Sequence, residues 1–126
     1  MEFVERKIIF HGSHFAYFYL EQTSKVQEKI EFVLRIVKQV ERVSKKFLSP
    51  IKGTDGLYEV RIEYSSNIYR IFCCFDEGNI VVLFNGFQKK TEKTPLKEIE
   101  KATKLKREYF ELKKKEENEK RSNKKR

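Results

Sequence analysis

The stretch Leu57–Lys90, LYEVRIEYSSNIYRIFCCFDEGNIVVLFNGFQKK, decides the fold. Apolar and polar residues alternate along it, β-branched and aromatic side chains are enriched, and Ser65-Ser66 and Glu77-Gly78 supply turn chemistry. It reads as an antiparallel meander of three strands joined by two tight turns. With Ser65 and Ser66 as a two-residue loop, Tyr64 pairs with Asn67 and Arg61 stands opposite Arg70. With Glu77 and Gly78 as the second loop, Asp76 pairs with Asn79 and Asn85 stands opposite Arg70. A row Arg61, Arg70, Asn85 then crosses one face. The other face carries Tyr58, Val60, Ile62, Tyr64, Tyr69, Ile71, Cys73 and Phe75, an apolar set that requires a covering layer of helix.

Two arginines facing each other across a ladder repel, at a cost of roughly 0.2–1 kcal/mol when exposed. Something must neutralise them. Glu59 and Glu63 lie on the same face and supply one answer. Phosphate oxygens of a nucleic acid supply the other, since the guanidinium fork matches them bidentately. The spacing alone leaves both open.

Working outward, Glu2–Phe10 reads as a short first strand near a sheet edge, broken at His11-Gly12-Ser13. Ser13 is placed to cap a short aromatic helix through His14, Phe15, Tyr17, Phe18 and Leu20. Thr23 or Ser24, with Gln27 and Glu28 following, restarts a helix whose apolar positions Val26, Ile30, Val33, Leu34, Val37 and Val40 keep the helical period for about five turns. That helix is the cover for the apolar face. Residues 45–55 read as a linker broken by Pro50 and Gly53, and Gly56 provides a tight entry to the meander. After Lys90 a basic loop leads to Thr94 as cap and Pro95 at the first position of a last helix, striped by Leu96, Ile99, Ala102, Leu105, Tyr109 and Leu112. The segment 113–126 has eight Lys/Arg, three Glu and no apolar residue, and reads as a solvated helix extension or a disordered arm. The organisation expected is therefore one domain over 1–112 and a basic tail over 113–126.

With 126 residues the chain has room for a single core. A formal net charge of +9, in a sequence that is 37% charged, favours polyanionic partners: RNA, DNA, or an acidic protein masking a nucleic-acid site. The start, MEFVERKIIF, lacks the basic region of a signal peptide, and no run approaches the roughly 20 apolar residues of a membrane span. Localisation is expected to be cytoplasmic, without a membrane. Adjacent Cys73 and Cys74 point to opposite faces of a strand, one filling core and one semi-buried on the arginine face. Neither they nor His11 and His14 form a metal-ligand spacing, and both histidines read as surface residues. No metal or cofactor is expected.

The segments GLYEVRI, NIYRIFCCF and NIVVLFNGFQKKTEKTPLKEIEKA, in this order after a strand and two helices, resemble the RelE/ParE toxin superfamily and, within it, the HigB-like, phage-associated branch. The likeness covers Glu2–Leu105 and is most specific over Gly86–Ala102. It implies an α+β fold: a twisted antiparallel sheet of about four strands, two N-terminal helices on one face, a basic concave site on the other, and a C-terminal helix. It also implies a metal-independent endoribonuclease that cuts mRNA on the ribosome and is inhibited by a helix-turn-helix, HigA-like antitoxin, with which it forms a hetero-oligomer. By the resemblance Arg70 and Arg61 clamp phosphate, and Lys89 and Lys90 stabilise the pentacoordinate or leaving oxygens. Lys52, Asn85, Phe87 and Lys93 are the further RNA contacts.

One departure bears on chemistry. Some branch members carry a histidine before the Gly-Phe pair, where this chain has Asn85, which takes no proton near neutral pH. Glu59, Glu63, His11 or a lysine of lowered pKa are the remaining candidate proton acceptors. The alternatives that share the fold are a ParE-like gyrase inhibitor and a non-catalytic, RNA-binding phage protein.

Overall fold

The structure is a computed structural model and describes residues 3–124. In chain order the elements are β1 (Lys7–Phe10), α1 (His14–Leu20), α2 (Ser24–Gln39), β2 (Leu48–Pro50), β3 (Tyr58–Tyr64), β4 (Asn67–Asp76), β5 (Ile80–Lys89) and α3 (Leu96–Lys124). The five strands form one sheet in the order β1-β5-β4-β3-β2. This is the expected α+β architecture, with two additions. The edge strand β1 runs parallel to β5, pairing Lys7–Phe10 with Ile80–Leu83, so the sheet is mixed. The segment taken for a linker contributes β2, whose Pro50 sits on an edge where its missing N–H costs no ladder bond.

The first hairpin has the register read from sequence: Tyr64 pairs with Asn67 and Arg61 with Arg70. Ser65 and Ser66 have φ of 50° and 68°, so both central residues take the left-handed conformation that a two-residue I′ turn needs. The second hairpin differs. Asp76 pairs with Ile80, because the loop holds Glu77, Gly78 and Asn79, and a bulge between Ile71 and Cys73 sets Phe84 and Asn85 together opposite Phe72. Phe87, not Asn85, therefore stands across from Arg70. Each irregularity shifts the register by one residue, and the two together leave Asn85 on the arginine face, two residues along β5.

Both faces of the sheet are packed. On one, Phe15 and Phe18 of α1 and Val26, Ile30, Val33 and Val37 of α2 meet Val60, Ile62, Tyr69, Ile71, Cys73, Val81 and Leu83. The period-3.6 stripe of α2 meets the period-2 stripe of the meander, as the pattern requires. Thr23 caps α2, its Oγ1 accepting from Val26 N. At the other end Arg6 closes the helix, donating to the carbonyls of Val37 (2.9 Å), Val40 (2.5 Å) and Glu41 (2.6 Å). Ser13, by contrast, makes no side-chain cap bond to α1.

On the opposite face, Ala102 and Leu105 of α3 cover Phe72, Cys74, Val82 and Phe84, with Ile51 and Leu57 at the margin. Cys74 is thus fully buried rather than semi-buried, because the helix lies over it. α3 runs past the domain core as one uninterrupted helix, so the described part of the basic tail is a helical extension; residues 125 and 126 lie outside the described residues. Leu96 and Leu112, at the ends of its stripe, are exposed.

Candidate nucleic-acid interface

α3 starts beside Asn85, whose Nδ2 donates to the backbone oxygen (3.2 Å) and to Oε1 (3.0 Å) of Glu98, and it runs from there toward Asp76. Pairing sets the face that continues toward the first hairpin. Arg61, Arg70 and Phe87 stand in one row, and Glu63, Ile68 and Lys89 in the next. Lys89 and Arg61 are accordingly on the same face, on either side of β4, and Lys89 leads into the exposed basic loop with Lys90 and Lys93.

The two arginines of the row differ in kind. Arg70 is 2% exposed, its Nε 2.7 Å from Glu59 Oε2, and it donates from a terminal nitrogen to Tyr69 O at 3.1 Å. Arg61 has a side chain 38% exposed, stands 3.6 Å from the same Glu59 oxygen and donates to Lys45 O. The reason is position in the sheet: β4 is the central strand, and β3 has only the three-residue β2 outside it. Burial pulls the Arg70 pKa below that of a free guanidinium and Arg61 adds to this, while Glu59 pulls the other way. The guanidinium stays charged. Glu59 is in contact with both cations and Glu63 attracts Arg70 from farther off; with Lys89 in the next row the face keeps one surplus positive charge.

Next to this row lies an open cleft of about 430 Å³, lined by His14, Tyr17, Phe18, Glu21 and Gln22 from the α1 side, by Asn85–Gln88 and Lys90 from the β5 side, and by Lys101 of α3. Its wall depends on Gly86. A Cβ there would stand 2.4 Å from the Phe18 ring, so only glycine lets α1 approach β5 so closely. Phe87 packs edge-on against Phe72 at 5.1 Å and also lines the cleft. Asn85 is 1% exposed, and its Oδ1 has no hydrogen-bond partner.

Of the residues singled out in the sequence, Arg61, Arg70, Phe87 and Lys89 share the arginine face, and Asn85 and Lys90 line the adjoining cleft. Lys52 is elsewhere. It lies in the β2–β3 turn at the far end of β3, where Lys106 of α3 reaches the carbonyl of Asp55. His11 also belongs to the other end. Its side chain is only 16% exposed, 3.6 Å from Glu108 and edge-on to Tyr109, so it is packed beneath α3 rather than on the surface. Glu98 was not singled out, although its place in the first turn of a helix docking on the Asn-Gly-Phe strand was the available signal.

A second polar cluster also escaped the pattern. Asp76 is bonded by the Tyr109 hydroxyl at 2.6 Å and by Lys113 at 2.8 and 3.0 Å. Tyr109 and Lys113 are four residues apart on one helix face, a spacing readable from sequence once Asp76 is known to face it. Burial opposes the charge of Asp76, but the bonds from Lys113 and Tyr109 outweigh it and hold its pKa below the usual value. Burial, then Asp76, pushes Tyr109 up to about 12. The Cys74 thiol is pushed up by burial to about 11, and Cys73 further, so neither is a thiolate at neutral pH.

Among the described residues no group of three or more His, Cys, Asp or Glu side chains is placed to hold a metal ion, and no helix is long and apolar enough to cross a membrane.

Sheet, helix order and the cationic face together define a small α+β domain of RelE-like fold. The chain belongs to the Gp49-like family: residues 19–107 match Phage derived protein Gp49-like (DUF891), a family of RelE/HigB-like toxins of toxin–antitoxin systems. No curated protein matches the chain. The matched span runs from the end of α1 to the middle of α3 and holds the arginine row, the Asn-Gly-Phe strand and the basic loop. It stops short of Tyr109 and Lys113.

Proposed function

We propose that the protein is the HigB-like toxin of a type II toxin–antitoxin system and acts as a metal-independent, ribosome-associated mRNA endoribonuclease. The observation that carries the reading is the shared face of Arg61 and Lys89, with a surplus of positive charge over Glu59 and Glu63 and an open cleft alongside. In the reaction the RNA 2′-oxygen attacks the adjacent phosphorus, the P–O5′ bond breaks, and the products are a 2′,3′-cyclic phosphate and a 5′-hydroxyl. The nucleophile is already part of the substrate, so the protein's task is orientation and charge stabilisation. Arg61 holds the phosphate. Lys89 and Lys90 stabilise the equatorial and leaving oxygens. Arg70 acts from beneath, fixing Glu59 and, through it, the angle of Arg61. Lys93 follows the strand outward, Lys52 is a remote backbone contact, and Phe87 offers a ring edge to a base.

A cytoplasmic location, the mRNA and ribosome as targets and a HigA-like helix-turn-helix antitoxin as inhibitor in a hetero-oligomer complete the reading. One observation favours a second reading, a non-catalytic RNA binder. Asn85 commits its amide nitrogen to Glu98 and takes no proton, and Glu59 is engaged by two arginines.

Induced expression of the wild type beside Arg61→Ala and Lys89→Ala separates these readings, with growth followed and 5′ ends mapped on a defined transcript. Arrest with new 5′-hydroxyl ends that fall at least about tenfold in both variants supports the nuclease, since cationic stabilisation of this kind is worth tenfold or more. Arrest with intact transcripts sinks it and directs the search to gyrase. Arg70→Ala is the weaker probe, because the buried pair with Glu59 would be broken.

A further inference from the structure

We infer that the cleft beside Gly86 reads one base of the bound strand, with Asn85 Oδ1 accepting from a base amino group. The inference rests on the RNA reading above and assigns Asn85 a part in specificity. Both hydrogens of Asn85 Nδ2 face acceptors on Glu98, at 3.2 and 3.0 Å. Turning the amide over would set Oδ1 against those acceptors, so its orientation is fixed. The remaining acceptor, Oδ1, is buried, without a partner, on a residue that lines the cleft. A buried acceptor left unpaired weakens a fold, and a ligand that donates to it relieves that penalty.

The surroundings specify the ligand. β1 pairs with β5 only as far as Leu83, so the cleft is walled by β5 backbone, from Asn85 to Gln88, that has no strand partner on that side among the described residues. Phe87 and Tyr17 supply aromatic surface for a flat ring, and the exposed Lys90 supplies charge for its phosphate, Lys101 being 3.8 Å from Glu98 and Glu21 standing on the α1 side. The volume suffices for one nucleotide. The Glu98 carboxylate is turned to Nδ2 and lies 3.8 Å from Lys101, so Oδ1 is the acceptor this wall offers a base. Adenine, cytosine and guanine present an amino group to such a wall. Uracil presents one N–H flanked by two carbonyls, whose lone pairs are brought against Oδ1. The cleft therefore selects an amino-bearing base, with the phosphate chain leading on to Lys89 and Arg61.

The test is binding of the full chain to 2′-O-methyl heptamers of A, C and U, which cannot be cleaved, for the wild type and Asn85→Leu. The wild type is expected to bind the A and C heptamers about fivefold more tightly than U, the worth of one net hydrogen bond. Asn85→Leu is expected to unfold at a lower temperature, because both bonds to Glu98 are lost, and, measured where both proteins are folded, to bring A and C to the level of U and leave U unchanged. Equal binding of all three by the wild type, or a uniform loss in the variant, overturns the inference and leaves the RNA reading standing. Failure of every heptamer to bind overturns both. An Asn85-dependent preference without cleavage of ribosomal mRNA sinks only the nuclease.

Discussion

The arginine face of the sheet has two ends, each built around one acidic residue with two partners. At the closed end, under α3, Asp76 accepts from the Tyr109 hydroxyl and from Lys113, with Glu77 3.6 Å from the same ammonium, so one positive charge and a neutral donor meet two carboxylates. At the open end, Glu59 faces Arg70 at 2.7 Å and Arg61 at 3.6 Å and Glu63 attracts Arg70 from farther off, two negative charges against the two arginines and Lys89. The closed end has no surplus cation and serves to hold α3 to the β4–β5 turn. The open end is left in need of an anion. Similar parts thus give a clasp in one place and a binding surface in the other, and the difference lies in the charge count and in what covers each.

The largest effect expected from this contrast follows from Glu59→Gln. Arg70 would remain buried opposite Arg61 with no carboxylate between them, a loss of about 3–5 kcal/mol by the general cost of breaking a buried pair. Urea denaturation measures it. Arg70→Met should cost far less, because the charge leaves with its desolvation penalty and Glu59 keeps Arg61 as partner. Phosphate or a short polyanion should restore part of the lost stability in Glu59→Gln and little in the wild type. A Glu59→Gln loss below about 1 kcal/mol, the range of an exposed pair, would mean that the open end does not depend on its carboxylate.

At the closed end Tyr109→Phe should cost about 1.5 kcal/mol, the worth of a hydrogen bond to a charged group. The pH dependence sharpens the point. Asp76 has a lowered pKa, so its stabilisation is present above the ordinary aspartate value and is lost as pH falls through the lowered one. Tyr109 is pushed up to about 12, and Lys113 is raised by its bond to Asp76. Their stabilisation is full below about pH 10, the value of a free tyrosine, and is lost as pH rises through the raised values. Stability profiles should therefore fall on the alkaline side between about pH 10 and about 12 in the wild type and fall less steeply in Tyr109→Phe. Identical alkaline limbs in the two proteins would break the assignment of Tyr109 to the clasp.

What the sequence made legible follows the stiffness of the local geometry. A two-residue turn allows one register, so Arg61 opposite Arg70 could be read from Ser65-Ser66 alone. The second turn can hold Asn79 or release it, and a bulge leaves no trace in alternation, so Phe87 took the place expected for Asn85. Asn85 stayed on the right face only because the two shifts cancel in parity. β2 was hidden because three residues ending in proline have no period to detect. Burial was the harder quantity. Arg61 and Arg70 occupy the same row, and nothing in their neighbours along the chain says that one belongs to the central strand. The clasp was missed for the converse reason: Lys113 opens a run of charges that reads as solvated, and its bond to Asp76 exists only because α3 crosses the sheet toward that turn.

The smallest effect on stability is the most telling for function. Arg61 is 38% exposed and its contact with Glu59 is long, so Arg61→Gln should change the unfolding free energy by no more than about 0.5 kcal/mol. The same change removes the surplus charge of the open end while leaving Arg70 and Glu59 as a matched pair. Binding to RNA should therefore weaken across sequences, and the slope of log K against log salt should fall by about one. Lys113→Gln, at the closed end, should leave that slope unchanged. If both variants altered it equally, RNA would be responding to net charge alone, and the two ends of the face would not differ in the way their geometry requires. If Arg61→Gln unfolded the protein as readily as Glu59→Gln, Arg61 would be holding the sheet together, and the anion would have to be sought at Lys89 and Lys90 instead.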